Sequence, residues 1–397
     1  MNNEQLFRQA LQRQNDRAAR LKMPDDMEQR VMRRVKPRKT IRRWLYPISI
    51  AAAAASSQNT SPAQESVDLE ALYQQIDEAI SQSSTFVAEH RKQLAVYRDS
   101  LRMESSPEKQ MKMAEQLFQL YRSYRNDSAL FFAEQCIRLA KSLRRPDLAG
   151  RYRSLLALQC STSDMLTESL EQLRLVNRPA LTDKELVDYY NAWMHVCGEM
   201  ATLTQRKDKH QSYLAKQNLY RDSVMAVASE GSEEWLHLKM DILTAQRHFQ
   251  DALDISDRWF RIAKEGTHES AYAAFYRSMV FGYLGNHDQT CYWLGKSALD
   301  DIRCAVMDQA SLLFLAEHLA KDGDFDRALR YMDFTRKCNK TFSDHTRSYQ
   351  FSSIITIIEK SREATQDEVH QILIIAGAII ILLILALVFV LFIKRTK

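Results

Sequence analysis

No proline occurs after Pro179, so the last 218 residues contain none, and the 397-residue chain has only 9 Gly and 7 Pro. Sandwiches, barrels and propellers turn often, and they turn on Gly and Pro. Doubly wound nucleotide-binding sheets need clustered glycines in their loops. Neither demand is met. With 45% hydrophobic and 26% charged residues the chain still has enough apolar material to fold. The reading that remains is an all-α protein.

The formal charge of +5 is unevenly placed. Residues 1–55 carry 13 Lys+Arg against 5 Asp+Glu, whereas the remainder carries 42 against 45. A nearly neutral body lacks the electrostatic footprint of a nucleic-acid binder, so no specific nucleic acid is expected as a partner. The basic excess belongs to a head, residues 1–43, that includes Arg33, Arg34, Lys36, Arg38, Lys39, Arg42 and Arg43.

Two apolar segments follow different rules. From Ile372 to Ile393 run 22 residues without a charged or polar side chain. At a rise of about 1.5 Å per residue they match the roughly 30 Å bilayer core, so a single C-terminal transmembrane helix is expected, with 394–397 as a basic tail. The shorter segment 44–57 cannot span and resembles the apolar region of a signal peptide. The positive-inside rule applied to the basic head and to Lys394, Arg395 and Lys397 places both ends in the cytoplasm. The expected location is therefore the inner membrane, single-pass, with the main body periplasmic. The alternative is a tail anchor with the body in the cytoplasm.

Between a polar linker (58–67) and the membrane segment, the pattern is helical throughout. Residues 68–103 form one long helix in which Tyr73, Ile80, Val87, Leu94 and Leu101 recur every seven residues. Such a stripe serves either as a cap on the array or as a zipper to a second chain, and self-association through it or through the membrane helix is a candidate. Residues 104–365 read as a tetratricopeptide-like solenoid. Ala252, Thr290 and Ala328 recur at 38 residues, each near the start of a second helix and each after a short turn: Arg247-His248-Phe249, Gly285-Asn286-His287 and Gly323-Asp324. A small residue where two helices cross, at this period, is how tetratricopeptide repeats read. Earlier pairs at Met113–Leu143, Leu148–Val176 and Lys184–Val227 bring the expectation to five or six helix pairs.

No constellation of residues reads as catalytic. Gly295-Lys296-Ser297 ends like a phosphate-binding loop, but Thr290 stands where that loop needs glycine, and the triplet lies inside a helix. Cys136, Cys160, Cys197, Cys291, Cys304 and Cys338 match no zinc spacing and read as small core residues. No metal and no cofactor is expected.

The chain resembles a family of membrane-anchored tetratricopeptide-repeat regulators of Gram-negative bacteria, over about residues 66–397. The resemblance is carried by Leu69, Leu72, Ile76, Asp77 and Ile80, by Tyr121, Tyr124, Asp127, Ser128 and Ala129, and by Leu139-Ala140. It continues through Asp301-Ile302-Arg303, Gly323-Asp324, Asp326-Arg327-Ala328 and Ile357-Ile358-Glu359-Lys360. Members continue past the membrane helix into a cytoplasmic domain similar to a helix-turn-helix, whereas this sequence stops at Lys397. What the resemblance implies here is the sensing half of such a regulator without the output half.

The functional expectation is binding, not catalysis: a peptide or protein ligand in the solenoid groove, with membrane lipid around the anchor. By spacing from the crossing residues, the groove would be lined by Glu234, His237, Asp241, Tyr272, Phe275, Met279, Leu313 and Glu317. The competing function is a tail-anchored cytoplasmic interaction scaffold without a signalling role.

Overall fold

The computed structural model describes residues 67–342, and beyond them 355–356, 359–360 and 373–381. The basic head, segment 44–57 and most of the linker lie outside the described residues. Of the apolar C-terminal segment, 373–381 is helical and mostly exposed, and its remainder lies outside the described residues. Among the described residues no helix is long and apolar enough to cross a membrane.

Residues 67–342 form thirteen α-helices and one 3-10 turn, without a strand. The long helix α1 (Leu69–Met103) is followed by six antiparallel pairs: α2 (Pro107–Tyr121) with α3 (Asn126–Ser142), α4 (Pro146–Ser161) with α5 (Leu166–Arg174), and α6 (Asp183–Leu203) with α7 (Lys207–Val227). Then come α8 (Glu233–Ala245) with α9 (Phe249–Ile262), α10 (His268–Leu284) with α11 (His287–Arg303), and α12 (Ala310–Lys321) with α13 (Phe325–Phe342).

Local chemistry sets the ends of these helices. Pro107 and Pro146 stand in the first turn of α2 and α4, where a missing N–H costs nothing. The Asp68, Ser232 and Asn286 side chains accept from the backbone N–H three residues on, satisfying one orphan donor at each start. The C-terminal ends repeat one device. The N–H groups of His248, Asn286 and Asp324 donate to the carbonyls of Leu243, Phe281 and Leu319, the six-to-one bond of a Schellman cap. The residue before each is left-handed: Arg247 at φ 63°, Gly285 at 72° and Gly323 at 90°. The 38-residue period is thus a period of caps as well as of crossings. At those crossings Ala252 and Ala328 are fully buried and Thr290 nearly so.

The closure of the array on α1 organises the fold. The first half of α1 (Leu72, Tyr73, Ile76, Ala79) is buried with Leu294, Leu312, Leu313 and Tyr331 of α11, α12 and α13. The second half packs Val87, Leu94, Tyr97 and Leu101 on the core of α2–α4. The heptad stripe is therefore covered by the same chain, at both ends of the array. Met307, in the α11–α12 connection, shares the α2–α4 core, and its N–H donates to the Ser123 carbonyl at 2.7 Å. Gly295 permits the closest approach: a Cβ there would meet Leu72 Cδ2 at 2.7 Å. That is the role of the Gly295-Lys296-Ser297 triplet, whose Ser297 hydroxyl pairs with Ser311 Oγ at 2.6 Å in the core.

Candidate functional site

One wall of the array is built from alternate helices, α8 and α10. On α8, His237, Asp241 and Thr244 are spaced four and three residues apart and share one face. On α10, Tyr272, Tyr276, Met279 and Tyr283 do the same over three turns. Together they make a wall of aromatic rings with acidic groups set into it.

His237 sits at its centre. Its ring lies 4.1 Å from Tyr276, 5.3 Å from Tyr272 and 5.6 Å from Trp259. The two tyrosine hydroxyls are 3.2 Å apart, and the fully buried Trp259 lies under both rings at 5.8 and 6.0 Å. Aromatic pairs at such tilted geometries hold one another in place. Desolvation pushes the His237 imidazole down to about 4, so it is neutral near neutral pH. Below it, Met240, Asp241, Thr244, Ala245, Tyr276, Met279 and Tyr283 enclose a recess of about 60 Å³.

The acidic groups follow the same rule of being reached by solvent yet crowded by protein. Asp241 is exposed, but its position deep between the helices raises its carboxyl, with Arg221 opposing. Burial raises Glu233 as well, reinforced by Glu234 and Glu269. Asp188 of α6 is raised by burial against the pull of Arg151, to which it is paired at 2.9 Å. The charge of Arg122, just past α2, acts on Asp188, Glu233, Glu269 and His268. Carboxyls from α6, α8 and α10 therefore face one region, in which Arg122 is the cation acting on all three helices.

Of the residues expected in the groove, Glu234, His237, Asp241, Tyr272 and Met279 lie on α8 and α10 along this wall. Phe275 turns aside and meets Phe314 at 5.9 Å, beside the core that receives α1. Leu313 and Glu317 require correction. Leu313 is 1% exposed, and Glu317, 7% exposed, is paired with Lys321 at 2.7 Å. α12 is not a groove helix at these positions: Leu313 belongs to the core that also holds residues of α11, α13 and the first half of α1. Tyr276, Tyr283 and Arg122 were missed. The two tyrosines follow Tyr272 at four and eleven residues and were legible as a face; Arg122 is brought in only by the curl of the chain.

Comparison with known proteins agrees with this architecture. The model of one family, described as the SusR N-terminal TPR domain, matches residues 80–353. The chain belongs to that family. The match runs from the middle of α1 through every repeat described above. Among solved structures, the chain is similar to one in the crystal structure of Rap protein complexed with Competence and Sporulation Factor, at 12% identity and a TM-score of 0.42, over 76% of this chain and 87% of that one. No curated protein matches.

Several residues that carried the sequence resemblance occupy joints rather than the wall, while Ile357 and Ile358 lie outside the described residues. Arg327 of α13 reaches Glu70 at 2.9 Å and Asp77 at 3.4 Å on α1, with its guanidinium 5.2 Å from the Tyr73 ring. Tyr124 accepts from Arg91 at 3.0 Å and meets the His90 ring at a tilt, 4.7 Å between centroids. Asp301 pairs with His268 at 2.8 Å, joining the end of α11 to the start of α10.

Proposed function

We propose that this chain is the sensing half of a bacterial membrane signalling system, tethered by residues 372–393 with its repeats in the periplasm, and that the α8–α10 wall takes an extended peptide or a protein segment. The observation that carries this reading is the set of half-exposed aromatic rings around His237, with carboxyls of α6, α8 and α10 in the same region. Rings in such a frame offer a large contact area at low loss of side-chain freedom, and the carboxyls suit Lys or Arg beside an apolar side chain. Among the described residues, the rings around His237 hold no serine or cysteine paired with a base, so binding rather than reaction is the function assigned to the wall.

The experiment is panning of a random peptide display library on the purified chain. Enriched peptides should combine a basic and an aromatic residue and bind less tightly as salt rises. Asp241→Lys and Tyr276→Ala should each abolish the enrichment. Enrichment that both variants retain, or none at all, would refute the assignment. Topology is tested separately. Alkaline phosphatase fused after Thr365 is expected to be active and a fusion after Lys397 inactive; the reverse would favour the cytoplasmic scaffold.

A further inference from the structure

Two pairs of side chains one helical turn apart meet at the α11–α12 junction, on the side where α1 closes the array. On α11 these are His287 and Cys291. On α12 and its C-cap they are His318 and Asp322. One ligand-type atom from each of His287, Cys291 and His318 lies within 4.8 Å of the others. His287 Nε2 is 3.6 Å from Cys291 Sγ and 2.8 Å from Asp322 Oδ2. The two imidazole rings are 5.2 Å apart.

We propose that these four residues form a tetrahedral site for a divalent transition metal, Zn²⁺ by preference, that staples α11 to α12. A tetrahedral zinc with bonds of about 2.0–2.1 Å to nitrogen and 2.3 Å to sulfur sets its ligand atoms roughly 3.3–3.5 Å apart. The His287–Cys291 distance of 3.6 Å is within about 0.1 Å of that range, and the His287–Asp322 hydrogen bond of 2.8 Å must open by only about 0.5 Å to reach it. One thiol, two imidazoles and a carboxylate suit zinc or cobalt better than calcium or magnesium, which prefer oxygen alone. Binding releases the Cys291 thiol proton, His287 takes the tautomer protonated at Nδ1 so that Nε2 can bind, and four metal–ligand bonds form without any change of oxidation state. His287 is exposed, His318 half-buried and Cys291 buried, so an ion can arrive from solvent while the thiolate stays shielded. Tyr73 of α1 contacts Cys291, which links the site to the closure. The linear sequence hides all this. No Cys-x-x-Cys occurs, and only two i, i+4 pairs on neighbouring helices disclose the set, against the expectation of no metal.

The test uses the full chain, tag-free and chelator-stripped in detergent, titrated with Co²⁺. We expect one equivalent bound per chain, with tetrahedral d–d bands and a thiolate-to-cobalt charge-transfer band. Cys291→Ser should remove the charge-transfer band, and Cys338→Ser should leave it intact. His318→Gln and Asp322→Asn should weaken cobalt binding at least about tenfold, the effect expected for disturbing a ligand or its partner. Zn²⁺ should raise the Tm of the wild type and chelator should return it. Absence of the charge-transfer band in the wild type, or its survival in Cys291→Ser, overturns the proposal. If Cys291→Ser does not fold, unchanged cobalt affinity in both His318→Gln and Asp322→Asn overturns it instead.

Discussion

The seam where α1 closes the array and the wall formed by α8 and α10 are built from similar residue types but treat them differently. At the seam, Leu72, Tyr73, Ile76 and Leu94 are each less than 7% exposed, and Arg327 is held by carboxylates of α1 and of its own turn. At the wall, Tyr272 is 38% and Tyr283 39% exposed, over a Trp259 that is wholly buried. A side chain at the seam has its partner in the same chain. A ring at the wall has a floor beneath it and open space above. Buried, fully partnered groups hold a fold together, whereas half-covered aromatic rings in a concave frame are what binding surfaces leave available.

The sharpest way to test this difference is to delete packing at the seam. Ile76 is completely buried in the core that α1 shares with α11, so Ile76→Ala should destabilise by about 2–5 kcal/mol. Tyr276→Ala, on the wall, should cost much less because its ring is only partly covered. Urea midpoints of the two variants make the measurement, and equal losses would mean that the wall is core after all.

Gly295 tests the closeness of the same joint. Gly295→Ala places a methyl group 2.7 Å from Leu72 Cδ2, an overpacking expected to cost about 1–3 kcal/mol. Leu72→Ala removes the obstructing atom, so the double variant should be more stable than the two single losses added together. Additive losses in thermal melts would show that α1 does not approach α11 here.

This contrast also separates what was legible in the sequence from what was not. Helix content followed from the absence of proline, and the pairing followed from Ala252, Thr290 and Ala328, because crossing residues are small for a local steric reason. The face shared by Tyr272 and Met279 was legible from helical spacing alone. Where the array bends back was not. The sequence places Leu313 and Glu317 in phase with groove residues, but only the packing of the last helices decides whether that phase meets solvent. The same long-range step hides Arg122 beside Glu233 and hides the meeting of Asp77 with Arg327, 250 positions away. Contacts of that separation leave no periodic trace.

Titration probes the wall through its central histidine. His237 has its folded pKa pushed down to about 4 by desolvation, whereas in the unfolded chain it titrates near 6.5. Above pH ~6.5 both states are neutral and the group is silent. As pH falls from about 6.5 to about 4, the unfolded chain takes up a proton that the folded chain resists, so stability is progressively lost across that window. Allowing for partial solvent access, the loss should be about 1–2 kcal/mol at the acid end. His237→Gln should flatten the stability profile between those limits by that amount. His195, likewise lowered to about 4 by burial, keeps part of the slope in the variant. A profile that His237→Gln leaves unchanged would mean that the imidazole is better solvated than the wall geometry implies.

The smallest expected effect concerns the turn between α8 and α9, at the edge of the wall. Three caps recur at the same phase, and two of them use glycine, Gly285 and Gly323, while the third places Arg247 at φ 63°. An L-residue in the left-handed region costs roughly 1–2 kcal/mol, and glycine loses about 0.5–1 kcal/mol more backbone entropy on folding than other residues. The first term exceeds the second, so the balance favours glycine by several tenths to about 1 kcal/mol. Arg247 is exposed, so its removal takes no methylene from a core. Arg247→Gly should therefore raise the Tm slightly, and Gly285→Ala, the reverse exchange in the next repeat, should lower it. If Arg247→Gly lowers the Tm instead, the arginine side chain stabilises the rim of the wall by more than its backbone strain, and this edge belongs with the seam rather than with the binding surface.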